Sequence, residues 1–87
     1  MSTLIETRKF AVEGQQYRLE VFQGDDGDKK FANGSRGFYC YASTYFNGEE
    51  WVAVTPMARD RERALTGAES LCRRHWKKSI KQEKKRV

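Results

Sequence analysis

The dipeptide Asn47-Gly48 is the strongest constraint on how this chain can fold. It separates two runs that are rich in aromatic and β-branched residues, FYCYASTYF before it and EEWVAVT after it. Both residues tolerate the positive φ of a type I′ turn, so the pattern predicts a β-hairpin with a two-residue loop. That turn pairs Thr44 with Trp51 on one face of the hairpin.

Another hairpin is predicted upstream, because apolar and polar residues alternate between Leu4 and Gln23. With Gly14-Gln15 as its loop, Val12 faces Tyr17 and the apolar face is continuous across the two strands. The polar segment that follows, residues 24–37, is predicted to be a long connection between the hairpins.

The apolar residues from position 55 to about position 82 follow helical spacing. Thr55 is predicted to be the N-cap and Pro56 the first helical residue. Gly67 costs about 1 kcal/mol against alanine inside a helix, and the residues TGAE around it fit a capping box. The sequence therefore leaves two alternatives, one continuous helix or two helices broken near Gly67.

These elements predict a single α+β domain in residues 1–80. Its four-stranded antiparallel sheet, made of two hairpins (ββββα), is covered on one face by the C-terminal helix. Residues 81–87 are predicted to form a basic, disordered tail. In the long connection, DDGD at positions 25–28 has the acids of a calcium loop, but lysines follow where further ligands belong, so a turn-forming loop is expected.

Basic residues are concentrated at the C-terminal end of the chain. Residues 73–87 contain eight Lys and Arg against one acid, a charge of +7, while residues 1–72 contain nine bases and eleven acids, a charge of −2. Such clustering favours a polyanionic partner. The predicted phosphate contacts are Arg73, Arg74, Lys77, Lys78 and Lys81, with Lys84, Lys85 and Arg86 as a flexible arm. A solvated helix face with a solubilising tail is the alternative.

Strand alternation places three tyrosines on one face of the predicted sheet. The small residues Cys40 and Ala42 on the other face suit close approach of the helix, which leaves the tyrosines open. This predicted aromatic and basic surface consists of Tyr39, Tyr41, Tyr45, Lys9 and Arg18. Proteins use such surfaces to stack single-stranded bases. Valines on the fourth strand favour the opposite assignment, with the tyrosines buried.

The remaining reactive residues do not indicate catalysis. The charged residues nearest to His75 in the sequence are all cations, and His75 is expected to pack at the core margin. No nucleophile motif or phosphate-binding glycine loop is present, so we do not expect an enzyme. The two cysteines and one histidine lack metal-ligand spacing, so no metal or cofactor is expected.

The expected location is cytoplasmic. The N-terminus has no secretory pattern, and no apolar run approaches the roughly 20 residues that span a bilayer. Cys40 and Cys72 are therefore expected to be reduced, buried thiols.

The predicted function is sequence-nonspecific nucleic-acid binding, with single-stranded DNA or RNA favoured over duplex. Neutralising about six phosphates on a single strand gives a slope of about −4 for log K against log salt. The ββββα order with an aromatic open face is similar in outline to single-strand binders of the Whirly and PUR types. That resemblance is topological, carries over no residues, and implies a homodimer.

The alternative prediction is a protein-binding regulator or inhibitor. An exposed aromatic strand face with a charged helix could dock on a nucleic-acid-processing partner, and the chain would then be, for example, a phage or mobile-element accessory protein.

Overall fold

The computed structural model describes residues 3–24 and 37–85, with side chains as far as residue 81. The elements are β1 (Thr3–Val12), β2 (Gln15–Gln23), β3 (Phe38–Phe46), β4 (Glu49–Val54) and α1 (Arg61–Lys85). The strands form one antiparallel sheet in the order β1-β2-β3-β4, and α1 packs across β3, β2 and β1. The predicted ββββα fold of the α+β class is confirmed. The calcium-like stretch at positions 25–28 lies outside the described residues.

The β3–β4 hairpin turns at Asn47-Gly48, as the sequence predicts. Their φ angles are 52° and 80°, both in the left-handed region that a type I′ turn requires. Thr44 pairs with Trp51, so the predicted register is confirmed.

The β1–β2 hairpin turns one residue earlier than predicted. Its loop is Glu13-Gly14, with φ angles of 50° and 87°, and Phe10 rather than Val12 pairs with Tyr17. The predicted Gly14-Gln15 loop is wrong because glycine occupies the second central position of the turn, while Glu13 accepts the strained φ at the first. The partner shift is two residues, so every side chain keeps its predicted face.

The core lies between α1 and one face of the sheet. Its buried members are Tyr17, Leu19, Val21, Cys40 and Ala42 from the strands and Ala64, Leu65, Ala68 and Cys72 from the helix. Alanine and cysteine at the contact let the helix approach the sheet closely, as the sequence predicts. Both cysteines are buried free thiols, and burial raises the thiol pKa to about 11 for Cys40 and about 12 for Cys72.

Helix α1 begins five residues after the predicted start at Pro56. It begins at Arg61, and Asp60 caps it by accepting a hydrogen bond from the backbone N–H of Arg63 at 2.8 Å. Thr55 is therefore not an N-cap. Its Oγ1 accepts a hydrogen bond from the backbone N–H of Cys40 at 2.9 Å, which extends the pairing with β3.

The helix is continuous through Gly67, so the alternative of two helices is wrong. A Cβ at Gly67 would lie 3.4 Å from Cγ2 of Thr55, just after β4. Gly67 therefore lies where α1 approaches the sheet closely, and the helix is not broken there. The helical backbone is described to Lys85, while the predicted disorder of residues 81–87 stays a prediction.

Candidate nucleic-acid interface

The structure distributes the predicted site residues over opposite sides of the sheet. The basic helix face is on α1 and consists of Arg73, Arg74, Lys77, Lys78 and Lys81, all exposed. The open face is the sheet surface turned away from α1, and it carries Tyr39, Tyr41, Tyr45, Lys9 and Arg18. The backbone of Lys84 and Lys85 is part of α1, and their side chains are not among those that the structure describes.

The basic helix face presents its charges to solvent. At about 100° per residue, its five cations span an arc of about 140° around the helix. Within the described part of the chain none of the five is in an ion pair, whereas Arg61 near the helix start lies 3.3 Å from Glu6. Among the described residues, no carboxylate therefore lies within ion-pair distance of the basic helix face.

A groove runs beside the basic helix face, between α1 and the β1–β2 turn. Its volume is about 510 Å³, and it is lined by Val12, Glu13, Arg73, Trp76, Lys77, Ile80 and Lys81. Trp76 and Ile80 supply apolar surface one turn apart, next to three of the cations. We call this the Trp76 groove. This groove was not predicted, and the i, i+4 spacing of Trp76 and Ile80 beside a basic row indicates only its helical side.

Two contacts with aromatic rings hold the Trp76 groove in place. The guanidinium of Arg73 lies 5.3 Å from the ring centroid of Phe10, within cation–π range. Trp76 is half-buried and meets Phe46 edge to face, with 5.8 Å between ring centroids. The groove is therefore built from packed side chains of α1 and the sheet.

His75 packs at the core margin, as the sequence predicts. Its Nδ1 lies 2.8 Å from the Tyr17 hydroxyl and its Nε2 lies 3.4 Å from Oγ of Ser79. Trp51 stacks on the imidazole with centroids 4.4 Å apart. Burial lowers the pKa of His75 below its ordinary value of 6.5. Since both ring nitrogens have partners, the imidazole positions α1 and is not directed toward a ligand.

The tyrosines lie on the open face, so the alternative in which they are buried is wrong. Tyr45 is 69% exposed and Tyr41 is 38% exposed. Phe22 from β2 stacks on Tyr39 with 5.5 Å between centroids and meets Tyr41 edge to face at the same distance. These ring contacts leave Tyr45 as the freest aromatic surface of the row.

The open face is close to electrically neutral. Lys9 and Arg18 share this face, as expected, and they are direct cross-strand partners on β1 and β2. Arg18 also lies 3.8 Å from Glu20. The exposed Glu50 on β4 is the cross-strand partner of Tyr45 on β3. The field that attracts a polyanion is therefore stronger on the basic helix face than on the open face.

Comparison with known proteins gives no match to a protein-family model, to a curated protein or to a solved structure. No helix in the described residues combines the length and apolar character needed to cross a membrane. Within residues 3–24 and 37–85, no cluster of His, Cys, Asp or Glu could hold a metal ion. The chain is a small α+β domain with two chemically distinct surfaces.

Proposed function

We propose that this protein binds single-stranded nucleic acid through the basic helix face and the Trp76 groove, without sequence specificity. The observation that carries the proposal is the row of Arg73, Lys77 and Lys81 alongside the apolar surface of Trp76 and Ile80. Cations one helical turn apart suit successive phosphates, and an adjacent indole offers a platform on which a base can stack.

The basic helix face is preferred to the open face because binding of a polyanion depends on net local charge. Five exposed cations on the helix have no described carboxylate partner. On the open face, Glu20 and Glu50 offset Lys9 and Arg18. Beside the basic helix face, Glu13 in the lining of the Trp76 groove stands against three cations. We therefore assign phosphate contact to the helix and give the tyrosine row no part in the primary contact.

The preference for single strands follows from the Trp76 groove. Bases in a duplex are stacked on one another and leave no face for a side chain, whereas bases of a single strand can splay out and stack on an aromatic ring. A helix that contacted phosphates alone would also bind duplex, so discrimination requires the indole of Trp76.

Fluorescence anisotropy of labelled single-stranded DNA, single-stranded RNA and duplex DNA at low and moderate salt tests this proposal. The test variant carries Lys77→Glu and Lys78→Glu. Its matched control carries Lys9→Glu and Arg18→Glu, which make the same charge change on the opposite side of the sheet.

We expect salt-sensitive binding of both single strands that the helix variant loses and the sheet variant retains. Equal losses in the two variants would show that only net charge matters and would reject the assigned face. Loss in the sheet variant alone would move the site to the open face. No binding by the wild-type chain at low salt would reject the function itself.

A protein-binding role is the second candidate, favoured by the apolar exposure of the open face. Val52 and Val54 are about half exposed and Tyr45 is 69% exposed, and such residues are typical of docking surfaces. If regulation of a nucleic-acid-processing partner is the function, Tyr41→Ala abolishes the protein complex, and oligonucleotide binding is absent or unchanged. A cytoplasmic location belongs to both proposals, and the two free thiols support it.

A further inference from the structure

The outer edge of β4 carries hydrogen-bonding groups that the sheet does not use. The backbone N–H of Thr55 donates to the carbonyl of Cys40 at 2.9 Å. Because bonded and non-bonded pairs alternate along an antiparallel ladder, the backbone groups of Glu50, Val52 and Val54 point away from β3. Among the described residues no strand pairs with that edge.

The two edges of the sheet differ in their protection against strand pairing. On β1 the register shifts between Leu4 and Glu6, and the charged residues Arg8 and Lys9 follow. Irregular pairing and charge are the usual means of blocking an edge strand. β4 has no proline, lysine or register shift, its two glutamates lie at the Asn47-Gly48 end, and Val52 and Val54 are 53% and 50% exposed. As far as the described residues go, the part of the β4 edge at residues 52–54 is thus open to a partner strand.

We propose that β4 pairs antiparallel with β4 of a second copy of this chain, which joins two four-stranded sheets into one of eight strands. A two-fold axis at Val52 places Val52 opposite Val52 of the second copy and Glu50 opposite its Val54. Each of these residues has outward-pointing backbone groups, so the ladder forms without any change in β3–β4 pairing. The pairing does not depend on the proposed nucleic-acid binding.

This register is compatible with the charges and side-chain sizes along β4. The Glu50 residues of the two copies lie four residues apart along the ladder, about 13 Å. That separation exceeds the screening length of about 8 Å at physiological salt. On the helix side of the sheet, Trp51 lies opposite Ala53 of the second copy, which sets a large side chain against a small one.

The small size of the edge sets the strength of the association. β4 has only six residues, so the contact is well below the roughly 800 Å² per partner of a standard stable interface. We therefore expect a weak, concentration-dependent dimer. A two-fold axis perpendicular to the sheet also places both α1 helices on the same side, so the two basic helix faces point in one direction.

Sedimentation velocity of the full chain from micromolar to millimolar concentration tests the pairing. Val52→Pro removes an outward-pointing N–H while leaving the bonds to β3 in place. Val52→Lys puts two like charges directly opposite each other at the axis. The control Thr7→Lys adds the same charge on the same face, but on β1. Circular dichroism of each variant verifies the fold.

The wild-type chain and Thr7→Lys should dimerise with rising concentration, and both Val52 variants should shift the midpoint at least tenfold upward. If Val52→Pro does not fold, the comparison of Val52→Lys with Thr7→Lys decides. A monomer at every concentration overturns the proposal and leaves the edge for a strand of another protein. The proposal is also overturned if neither folded Val52 variant weakens dimerisation. It is equally overturned if Thr7→Lys weakens dimerisation as much as the Val52 variants do.

Discussion

The hydroxyl of Tyr17 lies 2.8 Å from Nδ1 of His75, and this hydrogen bond connects the first half of β2 to the C-terminal half of α1. Trp51 on β4 stacks on the same imidazole, with an interplanar angle of 24°. His75 is therefore held by two strands, at the point where the helix begins to present its basic face. The orientation of that face depends on this contact.

Protonation of His75 should destabilise the fold. Burial lowers its folded-state pKa below the ordinary 6.5, so the unfolded chain takes up the proton first. The contribution of His75 to stability is then fully present above about pH 6.5 and is lost as the pH falls toward the folded-state pKa. Tyr17 does not titrate in this window, because burial raises its pKa to about 12. We expect the free energy of unfolding in urea to fall between about pH 7.5 and about pH 5.5.

His75→Gln provides the control for this pH dependence. The glutamine amide does not titrate near neutral pH but keeps a hydrogen-bonding group within reach of Tyr17. The variant should be less stable at pH 7.5 and should show a flatter pH profile. An unchanged slope in the variant would assign the pH dependence to other groups.

The contact between Thr55 and Cys40 predicts a specific loss of stability. Oγ1 of Thr55 accepts the buried backbone N–H of Cys40 at 2.9 Å. Thr55→Val keeps the shape of the side chain and leaves that N–H without its partner, which should cost about 1–3 kcal/mol. Thr55→Ser retains the hydroxyl and should cost less. Urea unfolding of both variants gives the comparison, and equal losses would show that the methyl group contributes as much to stability as the hydrogen bond.

Gly67→Ala should stabilise the protein. Alanine is favoured over glycine inside a helix by about 1 kcal/mol, and the new Cβ would meet Cγ2 of Thr55 at an ordinary contact distance of 3.4 Å. We expect a gain of about 0.5–1 kcal/mol in the free energy of unfolding. A loss would mean that the helix cannot adjust to the methyl group against Thr55.

Gly48→Ala is the matched comparison for that substitution. A Cβ at Gly48 would have open space around it, but φ there is +80°, where a side chain is strained. The same change should therefore cost about 1 kcal/mol at Gly48. Opposite signs at the two glycines would separate the effect of helix propensity from that of turn conformation.

The sequence predicts the fold where local chemistry alone decides the structure. Asn47-Gly48 fixes both a turn and a register, so the β3–β4 pairing follows from two residues. At the first turn, Glu13 takes a positive φ of 50° that its side chain does not favour. Turn propensity therefore predicted the loop at Gly14-Gln15, one residue after its actual position at Glu13-Gly14. The predicted sheet face of each side chain is still correct, because the partner shift is two residues and the side-chain period in a strand is also two.

The sequence is misleading where tertiary contacts override local signals. Thr55-Pro56 has the local pattern of a helix start, but pairing with β3 continues past it, and Ala58 still bridges Phe38. Gly67 has the pattern of a break, but packing against the sheet keeps the helix continuous. The Trp76 groove needs the β1–β2 turn to lie against α1, so no window of the sequence contains it.

Trp76→Leu should weaken binding of single strands without changing its electrostatic component. Loss of one base-stacking platform costs about 1–3 kcal/mol, so affinity should fall roughly five- to 150-fold. The slope of log K against log salt should stay at about −3.5, because all five cations of the basic helix face remain and each contributes about −0.7 to the slope. Duplex affinity should not change, since a duplex offers no free base.

Tyr45→Leu is the matched control for Trp76→Leu. It removes the most exposed ring of the open face, 69% exposed, and should leave single-strand affinity within about a factor of two. Anisotropy titrations at several salt concentrations separate the two contributions, and urea unfolding checks that Trp76→Leu keeps its fold, since Trp76 also packs on Phe46. A larger loss from Tyr45→Leu than from Trp76→Leu would place the bases on the open face, and the basic helix face would then act only by attracting the strand.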